Sequence, residues 1–287
     1  MTSLQSIVAV VTGASRGAGR GIALELGAAG ATVYVTGRSA RGASTMDLPA
    51  VTIDDTAEMV TALGGVGIPV RCDHTVDADV EVLFKQVEEE QDYLDVLVNN
   101  IWGGYENYDS TFDDGFWEQP LWRWDKMFEA GVRAHYTASR LAAPQMIRQR
   151  SGLIVNTTFW DRNKYLRALP YDVAKAAINR MAYGMALELR PHRVAVVALT
   201  PGFMRTEVVL MHFATDEDHW HEHPGLEATE SPRYIGRAVA ALAADPDVLE
   251  KSGRTLTVGD LAREYNFTDH DGRQPPTFLL PDEDAMD

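Results

Sequence analysis

The stretch TGASRGAG, residues 12–19, follows directly on the apolar run IVAVV at residues 7–11. This order predicts a buried β-strand, a tight turn and a helix that begins among the glycines. The glycine spacing, Gly-x-x-x-Gly-x-Gly, permits positive φ angles and lets another group approach the backbone closely. A helix that begins here would point its free N–H groups at a pyrophosphate. The alternative interpretation is that the glycines only form a tight connection between strand and helix.

Short apolar runs alternate with longer helix-compatible segments along the rest of the chain. The runs lie at residues 33–36, 68–72, 94–98, 153–156, 194–199 and 255–258. Continuous apolar strands separated by helices are typical of a sheet that is buried on both faces. The rhythm therefore predicts an α/β fold, a doubly wound parallel sheet flanked by helices on both faces. We expect all 287 residues to form a single domain.

The charge and cysteine content of the chain exclude several classes of partner. The formal net charge of −16 at pH 7 argues against nucleic acid and anionic membranes, because both attract basic surfaces. Cys72 is the single cysteine, so no disulfide forms within the chain. No Lys or Arg precedes the first apolar run, and no run approaches the ~18 apolar residues of a membrane span. We expect a cytoplasmic protein with a small-molecule partner.

Tyr171 and Lys175 form a second chemically informative pattern. Side chains four residues apart lie on one face of a helix, one turn from each other. A free phenol, with a pKa of ~10, is a poor acid/base group at neutral pH, and a neighbouring cation lowers that pKa. The pair therefore predicts a tyrosine that exchanges a proton with a carbonyl or alcohol oxygen. The alternative is that the spacing arises by chance on an ordinary helix.

Together, the threonine-led glycine turn and the Tyr-x-x-x-Lys pair resemble the short-chain dehydrogenase/reductase (SDR) family, over about residues 5–260. The segment GATVYVTGR, residues 30–38, and the pair Trp124-Asp125 are most similar to the member 1 subgroup. The resemblance implies a Rossmann-type sheet, a nicotinamide cofactor and hydride transfer between a carbonyl and an alcohol. It implies Tyr171 as acid/base and Lys175 as its electrostatic partner. It also suggests a homodimer or homotetramer, and it leaves the substrate open.

The residue after the second predicted strand distinguishes the two nicotinamide cofactors. A carboxylate there accepts a hydrogen bond from the ribose 2′-OH and repels a 2′-phosphate. This chain has Gly37 followed by Arg38 instead. A guanidinium suits a phosphate, and in the members that the chain resembles Arg16 points toward the same ribose. We predict NADP(H), with NAD(H) as the alternative if Arg38 stacks on adenine or faces solvent.

Further positions match the family's cofactor site in sequence order. Asp73 follows the third strand, where the resemblance implies a contact with adenine, and Asn99 closes the fourth strand. The turn PGFMRT, residues 201–206, resembles the turn that holds the nicotinamide carboxamide. Taken structurally, each is an ordinary turn or cap. The predicted cofactor-binding residues are Gly13, Ser15, Arg16, Gly17, Ala18, Gly19, Arg38, Asp73, Asn99, Tyr171, Lys175, Pro201, Gly202 and Thr206.

Two catalytic positions depart from the family pattern. The family's Ser hydroxyl follows the fifth strand, and Thr158, thirteen residues before Tyr171, is the predicted replacement because a Thr hydroxyl has the same hydrogen-bonding capacity. If the loop is one residue shorter, Phe159 takes that position and the hydroxyl must come from elsewhere. The family's Asn in the fourth helix falls at Gly131, where glycine can still open the helix and expose a carbonyl.

Two segments are interpreted as insertions. Residues 38–54 predict a surface loop, rich in Ser, Gly and Pro. Residues 102–124 begin at the carboxyl end of a strand, where α/β sheets bind ligands. They predict a wall for a bulky apolar or aromatic substrate, with core filling and a subunit contact as equal alternatives. Their aromatic residues are Trp102, Tyr105, Tyr108, Phe112, Phe116, Trp117, Trp122 and Trp124.

The remaining segments complete the sequence prediction. We predict that residues 203–232 form a flexible lid. The part between His212 and His223 is rich in His, and we prefer the lid to a metal site as its interpretation. Residues 270–287 predict an acidic tail that is disordered or lies on another subunit. The rival to an enzyme is a non-catalytic nicotinamide-binding scaffold or redox sensor, because the family's Ser and Asn both have replacements. Retention of Tyr171 and Lys175 favours the enzyme.

Overall fold

The structure is a computed structural model that describes residues 3–45, 51–105, 109–160 and 164–280. The strands are β1 (Val8–Val11), β2 (Thr32–Gly37), β3 (Val66–Arg71), β4 (Val96–Asn99), β5 (Gly152–Thr157), β6 (Val194–Thr200) and β7 (Thr255–Thr257). The α-helices are α1 (Gly17–Ala28), α2 (Ile53–Ala62), α3 (Asp77–Glu90), α4 (Leu121–Met127), α5 (Ala134–Gln149), α6 (Leu169–Leu189), α7 (Glu207–His212), α8 (Pro232–Ala244) and α9 (Val258–Glu264). A π-helical turn, Phe128–Arg133, joins α4 to α5. Short 3₁₀ helices lie at Ser110–Asp113, Arg190–His192, Trp220–Glu222 and Val248–Lys251.

All strands of the sheet run parallel, in the order β3-β2-β1-β4-β5-β6-β7. The strand order reverses between β1 and β4, which places a cleft at their carboxyl ends. The glycine stretch that follows β1 and the residues that follow β4 therefore meet at one edge of the sheet. The predicted doubly wound parallel sheet is confirmed, with all seven predicted strands ending within two residues of the observed positions.

Helices cover both faces of the sheet because its strands are apolar on both sides. Ala9 and Val11 of β1 face a core shared with α1, α2, α8 and α9. Val8 and Val10 face the opposite core, shared with α3, α5 and α6. Successive side chains of a strand point to opposite faces of the sheet, which explains this alternation. The side chains on each face are buried under the helices that cover that face.

The C-terminal segment corrects a prediction. Residues 270–280 lie against the rest of the same chain, where the Tyr234 hydroxyl donates to the Pro275 carbonyl at 3.0 Å. The Phe278 ring lies 5.7 Å from that of Phe159. The predicted disorder is therefore wrong for residues 270–280, because this hydrogen bond and the ring contact hold them against the chain; a contact of the tail with another subunit stays a prediction. Residues 281–287 lie outside the described ranges.

Within the described ranges, none of the helices combines the length and the hydrophobicity that crossing a membrane requires.

Candidate active site

The glycine turn adopts a conformation that its sequence permits and most others would not. Gly13 and Gly17 have φ angles of +65° and +54°, in the left-handed region that favours glycine. A Cβ on Gly19 would stand 2.3 Å from the Gly13 carbonyl oxygen, closer than any side chain tolerates. Arg16 is the N-cap of α1 and contributes no side-chain capping bond. The first N–H groups of α1 therefore point toward the cleft, the arrangement that binds anions.

The cleft floor is tied to β4 by asparagine and threonine. Asn100 donates from its side-chain amide to the carbonyls of Thr12 (3.2 Å) and Gly13 (3.1 Å). The preceding residue, Asn99, is the one predicted to bind the cofactor. Its side chain is fully buried and its amide donates to the side-chain oxygens of Ser139 and Asn156, both at 2.8 Å. The Asn99 side chain is therefore committed to the sheet interior, whereas Asn100 contacts the turn; the cofactor contact of Asn99 stays a prediction.

The Pro201–Gly202 turn and the residues after it lie beside the glycine turn. Thr206 caps α7 by accepting from the Val209 N–H, and its methyl group lies 3.5 Å from where a Cβ on Gly17 would stand. The next residue, Glu207, accepts a hydrogen bond from the Gly17 N–H at 2.8 Å. The start of α1 thus holds a carboxylate oxygen, a contact that sequence reasoning missed because 190 residues separate its partners.

At the other end of the cleft, Arg38 stands close enough to Asp73 for its charge to act on that carboxyl. Burial opposes ionisation of Asp73, but hydrogen bonds from the Thr75 N–H (3.0 Å) and hydroxyl (2.7 Å) outweigh it and lower the pKa. Arg16 and Arg38 are both partly exposed. Two cations and one carboxylate therefore line this end.

Tyr171 and Lys175 lie one turn apart near the start of α6, as their spacing predicts. Burial raises the Tyr171 pKa well above its ordinary value, and the Tyr105 hydroxyl reinforces the shift. Burial lowers the Lys175 pKa to about 7. The Lys175 Nζ lies 5.4 Å from the Tyr171 ring centroid. The effect of burial on the Tyr171 pKa is larger than the effect of this ammonium, so the expectation that Lys175 lowers the Tyr171 pKa is wrong for this structure.

The end of β5 turns its hydroxyl groups away from Tyr171. Thr158 is 4% exposed and donates to the Lys175 carbonyl at 3.3 Å, with a 3.4 Å contact to the Phe159 carbonyl. Thr157 donates to the Asn100 side-chain carbonyl at 3.4 Å. The Phe159 ring lies 6.5 Å from that of Tyr171. The hydroxyl of Thr158 is therefore directed at the α6 backbone, and of the residues that follow β5 it is Phe159 whose side chain faces Tyr171.

Trp102 explains the glycine at position 131. The Lys175 ammonium lies over its ring at 3.7 Å, a cation–π contact. A Cβ on Gly131 would stand 2.7 Å from the same indole. Gly131 lies in the π-helical turn, a form of helix that often marks functional sites. The indole therefore occupies the volume that any side chain at position 131 would enter, so the departure at Gly131 leaves room for Trp102.

The aromatic segment 102–124 divides into two groups. Trp102, Tyr105 and Phe112 surround Tyr171, with ring centroids 5.5, 6.1 and 6.1 Å away. The Tyr105 hydroxyl donates to the Tyr171 hydroxyl at 3.2 Å. The rings farther along the segment are exposed: Phe116, Trp117, Trp122 and Trp124. Tyr108 lies outside the described ranges. Among the described residues of the segment, those from Trp102 to Phe112 therefore form a wall of the candidate site.

The sequence model of the family described as short chain dehydrogenase matches residues 7–217. The chain belongs to this family. Dehydrogenase/reductase SDR family member 1 of Mus musculus is 43% identical to this dehydrogenase over 272 residues, which cover 93% of the chain and 84% of the mouse protein. A short chain dehydrogenase structure from Mycobacterium thermoresistibile is 27% identical, with a TM-score of 0.81, and the match covers 98% of this chain and 95% of that one.

A second solved relative of this dehydrogenase carries ligands. The structure of 7α-hydroxysteroid dehydrogenase complexed with NADH and 7-oxo glycochenodeoxycholic acid is 25% identical, with a TM-score of 0.70 over 95% of this chain and 96% of that one. Family membership confirms the predicted reaction class. This dehydrogenase is an SDR oxidoreductase that acts on CH–OH and C=O groups of small molecules with NAD(P) as cofactor.

The predicted lid of this dehydrogenase packs around one arginine. The Arg205 side chain is completely buried, pairs with Glu217 (2.9 Å) and Asp271 (3.0 Å), and lies 4.2 Å over the Trp220 ring. His219 is exposed and contacts Asp216 at 2.7 Å. Among the described residues, no cluster of three or more His, Cys, Asp or Glu side chains could hold a metal ion.

Proposed function

We propose that this dehydrogenase is an NADP(H)-dependent enzyme that interconverts a bulky apolar or aromatic ketone and its alcohol. The observation that carries the proposal is the aromatic pocket around Tyr171, at the carboxyl edge of the sheet and beside the glycine turn. A proton-exchanging group inside apolar walls suits the C=O oxygen of an apolar molecule.

The residues at the cleft floor fit a dinucleotide. The N–H of Gly17 already donates a hydrogen bond to an anionic oxygen, that of Glu207, in the manner required for a pyrophosphate. Gly13, Gly17 and Gly19 would hold the phosphates, with Arg16 and Arg38 at the ribose and Thr206 at the carboxamide. When bound, the nicotinamide supplies or accepts the hydride.

Tyr171 would act as the proton donor in carbonyl reduction. An ordinary phenol is already protonated at neutral pH, and burial raises the pKa of Tyr171 further, so Tyr171 is in the form that donates to a carbonyl oxygen. Donation leaves a phenolate, which the Lys175 ammonium at 5.4 Å from the ring stabilises. In alcohol oxidation the same groups act in reverse.

The preference for NADP(H) rests on charge at the ribose end of the cleft. Gly37 offers no carboxylate for a 2′-OH, while Arg16 and Arg38 suit a 2′-phosphate. Replacing both arginines with glutamine should weaken NADPH binding by at least tenfold more than NADH binding in a fluorescence titration. Equal weakening of both affinities would contradict the preference.

A large rigid substrate is supported by the rings of Trp102, Phe112 and Phe159 around Tyr171. The structural relative described above was solved with a steroid ketone, 7-oxo glycochenodeoxycholic acid. Planar and alicyclic ketones bury enough apolar surface against such rings to bind without many polar contacts.

We also propose a homodimer or homotetramer. Exposed aromatic side chains on α4 and α5, Trp124 at 39% and Tyr136 at 53%, lie beside a cavity lined by Phe128, Val132 and Met181. Burial of such a surface is a common driving force for self-association. Light scattering of wild type and Tyr136→Glu tests this arrangement, and an unchanged monomeric mass in both would contradict it.

The decisive experiment combines cofactor titration with turnover. Purified protein is titrated with NADPH and NADH by fluorescence and then offered a panel of bulky aromatic and alicyclic ketones, with small aliphatic ketones as the control. We expect oxidation of NADPH by the bulky ketones, and loss of turnover in Tyr171→Phe with NADPH affinity intact. Tight NADPH binding without turnover on any ketone would favour the scaffold or sensor; unchanged turnover in Tyr171→Phe would refute the role of Tyr171.

A further inference from the structure

The reacting oxygen in this site needs a second hydrogen-bond donor. During reduction the carbonyl oxygen gains negative charge, and preorganised donors aimed at that charge lower the barrier. Tyr171 provides one donor. The following inference rests on the proposed function, and it concerns which group provides the other.

The hydroxyl groups at the end of β5 are committed elsewhere. A hydroxyl carries one proton, and the Thr158 proton is directed at the Lys175 carbonyl at 3.3 Å inside the core. The Thr157 proton is directed at Asn100. Phe159, which follows β5 and whose side chain faces Tyr171, carries no side-chain donor.

Tyr105 brings a donor to the same place from the segment after β4. Its hydroxyl lies 3.2 Å from the Tyr171 hydroxyl, and the two rings stack with an angle of 30° between their planes. Two hydroxyl oxygens at that separation can both reach one acceptor placed ~2.7–2.8 Å from each. Contacts with Trp102 and Phe112, whose ring centroids lie 6.0 and 6.3 Å away, hold the Tyr105 ring in this orientation.

We propose that Tyr105 is a catalytic residue that donates the second hydrogen bond to the substrate oxygen. In reduction the C=O π bond breaks, the carbon gains the hydride as a C–H bond, and the oxygen gains the Tyr171 proton, which leaves a phenolate. Tyr105 keeps its own proton throughout. It stabilises first the developing oxyanion and then the product hydroxyl, and it consumes no further reactant.

The test compares Tyr105→Phe, which removes one hydroxyl and keeps the ring, with Thr158→Val, which removes the competing hydroxyl at nearly constant shape. We expect kcat for a ketone that the wild type reduces to fall ~100-fold or more in Tyr105→Phe, the usual loss of one oxyanion donor. In Thr158→Val it should stay within threefold. NADPH affinity by fluorescence should be unchanged in both variants.

A readout without turnover accompanies the kinetics. The hydroxyl groups of Tyr105 and Tyr171 share a hydrogen bond at 3.2 Å, so ultraviolet titration of the phenols should show one group whose ionisation shifts in Tyr105→Phe relative to wild type. A packing role alone would not move this titration, because the ring is retained.

The outcomes separate the two proposals. A wild type that reduces no ketone overturns the proposed function and the role of Tyr105 with it. If the wild type is active, and Tyr171→Phe abolishes turnover while Tyr105→Phe leaves it unchanged, only the role of Tyr105 is overturned. A large kcat loss in Thr158→Val with little change in Tyr105→Phe would return the second donor to β5.

Discussion

The glycine turn and the aromatic pocket lie side by side at one edge of the sheet, yet they are built in different ways. The turn is held by backbone groups and by short side chains such as Thr12 and Asn100. The pocket is built from side chains of segments far apart in sequence, with Trp102, Phe159 and Lys175 all near Tyr171. The turn follows a fixed residue pattern, whereas the pocket depends on how large side chains fit one another.

This difference explains where the chain departs from the family pattern. The turn retains its three glycines, since each is needed by a φ angle or a close approach. In the pocket, the indole of Trp102 fills the space beside Gly131 and lies on Lys175. In the pocket, a smaller side chain at one position is therefore compensated by a larger one at another. In the turn, the required φ angles and close backbone approaches leave no such exchange.

Gly19→Ala tests the rigidity of the turn and should have the largest effect. The new Cβ would stand 2.3 Å from the Gly13 carbonyl oxygen, so the turn must open or α1 must shift. We expect a loss of at least ~2 kcal/mol in the free energy of unfolding, at the upper range of overpacking, and loss of measurable NADPH binding. Urea denaturation and fluorescence titration measure the two effects. Near-wild-type values for both would show that the turn adapts as the pocket does.

Gly131→Ala tests the compensation inside the pocket. Its Cβ would stand 2.7 Å from the Trp102 ring and displace the indole from Lys175. We expect a loss of about 1–3 kcal/mol in stability and a ~10-fold fall in kcat, with NADPH affinity within threefold of wild type. The double variant Gly131→Ala with Trp102→Leu is the control. If the two stability losses simply add, the side chains are not coupled and the compensation is contradicted.

The buried ammonium of Lys175 should make the pocket respond to pH. Burial lowers its pKa to about 7, below the ordinary 10.5 that it regains on unfolding. Between these values the unfolded chain binds more protons, so the free energy of unfolding rises with pH. From pH 7 to pH 9 wild type should gain about 2 kcal/mol relative to Lys175→Met. Urea denaturation of both proteins at both pH values checks the sign, and a parallel response would contradict it.

Gly184→Ala should have the smallest effect, and in the opposite direction. Gly184 lies in α6, the helix of Tyr171 and Lys175, and a Cβ there would meet nothing within 4 Å. Alanine in an open helix position should stabilise the fold by about 0.5–1 kcal/mol without changing kcat. Thermal unfolding and turnover measure both. The variant is also the matched control for the other glycine substitutions, and destabilisation here would show that α6 has less free space than its surroundings indicate.

The sequence by itself determined the fold and the pairing of Tyr171 with Lys175, and its resemblance to a known family predicted the reaction class. The fold and the pairing depend on periodicity and on short spacings, which one strand or one helical turn translates directly into geometry. The residues 12–19 are the clearest case, because positive φ angles and a helix N-terminus follow from glycines in local order.

Tertiary structure decided everything that depends on direction and distance between remote segments. It directed Thr158 at the α6 backbone, buried Asn99 in the sheet, and placed Tyr105 on Tyr171. It also packed residues 270–280 onto the chain and raised the Tyr171 pKa instead of lowering it. A hydroxyl or a ring has the same letter in the sequence whichever way it points, and burial, which sets a pKa, is a property of the whole packed chain.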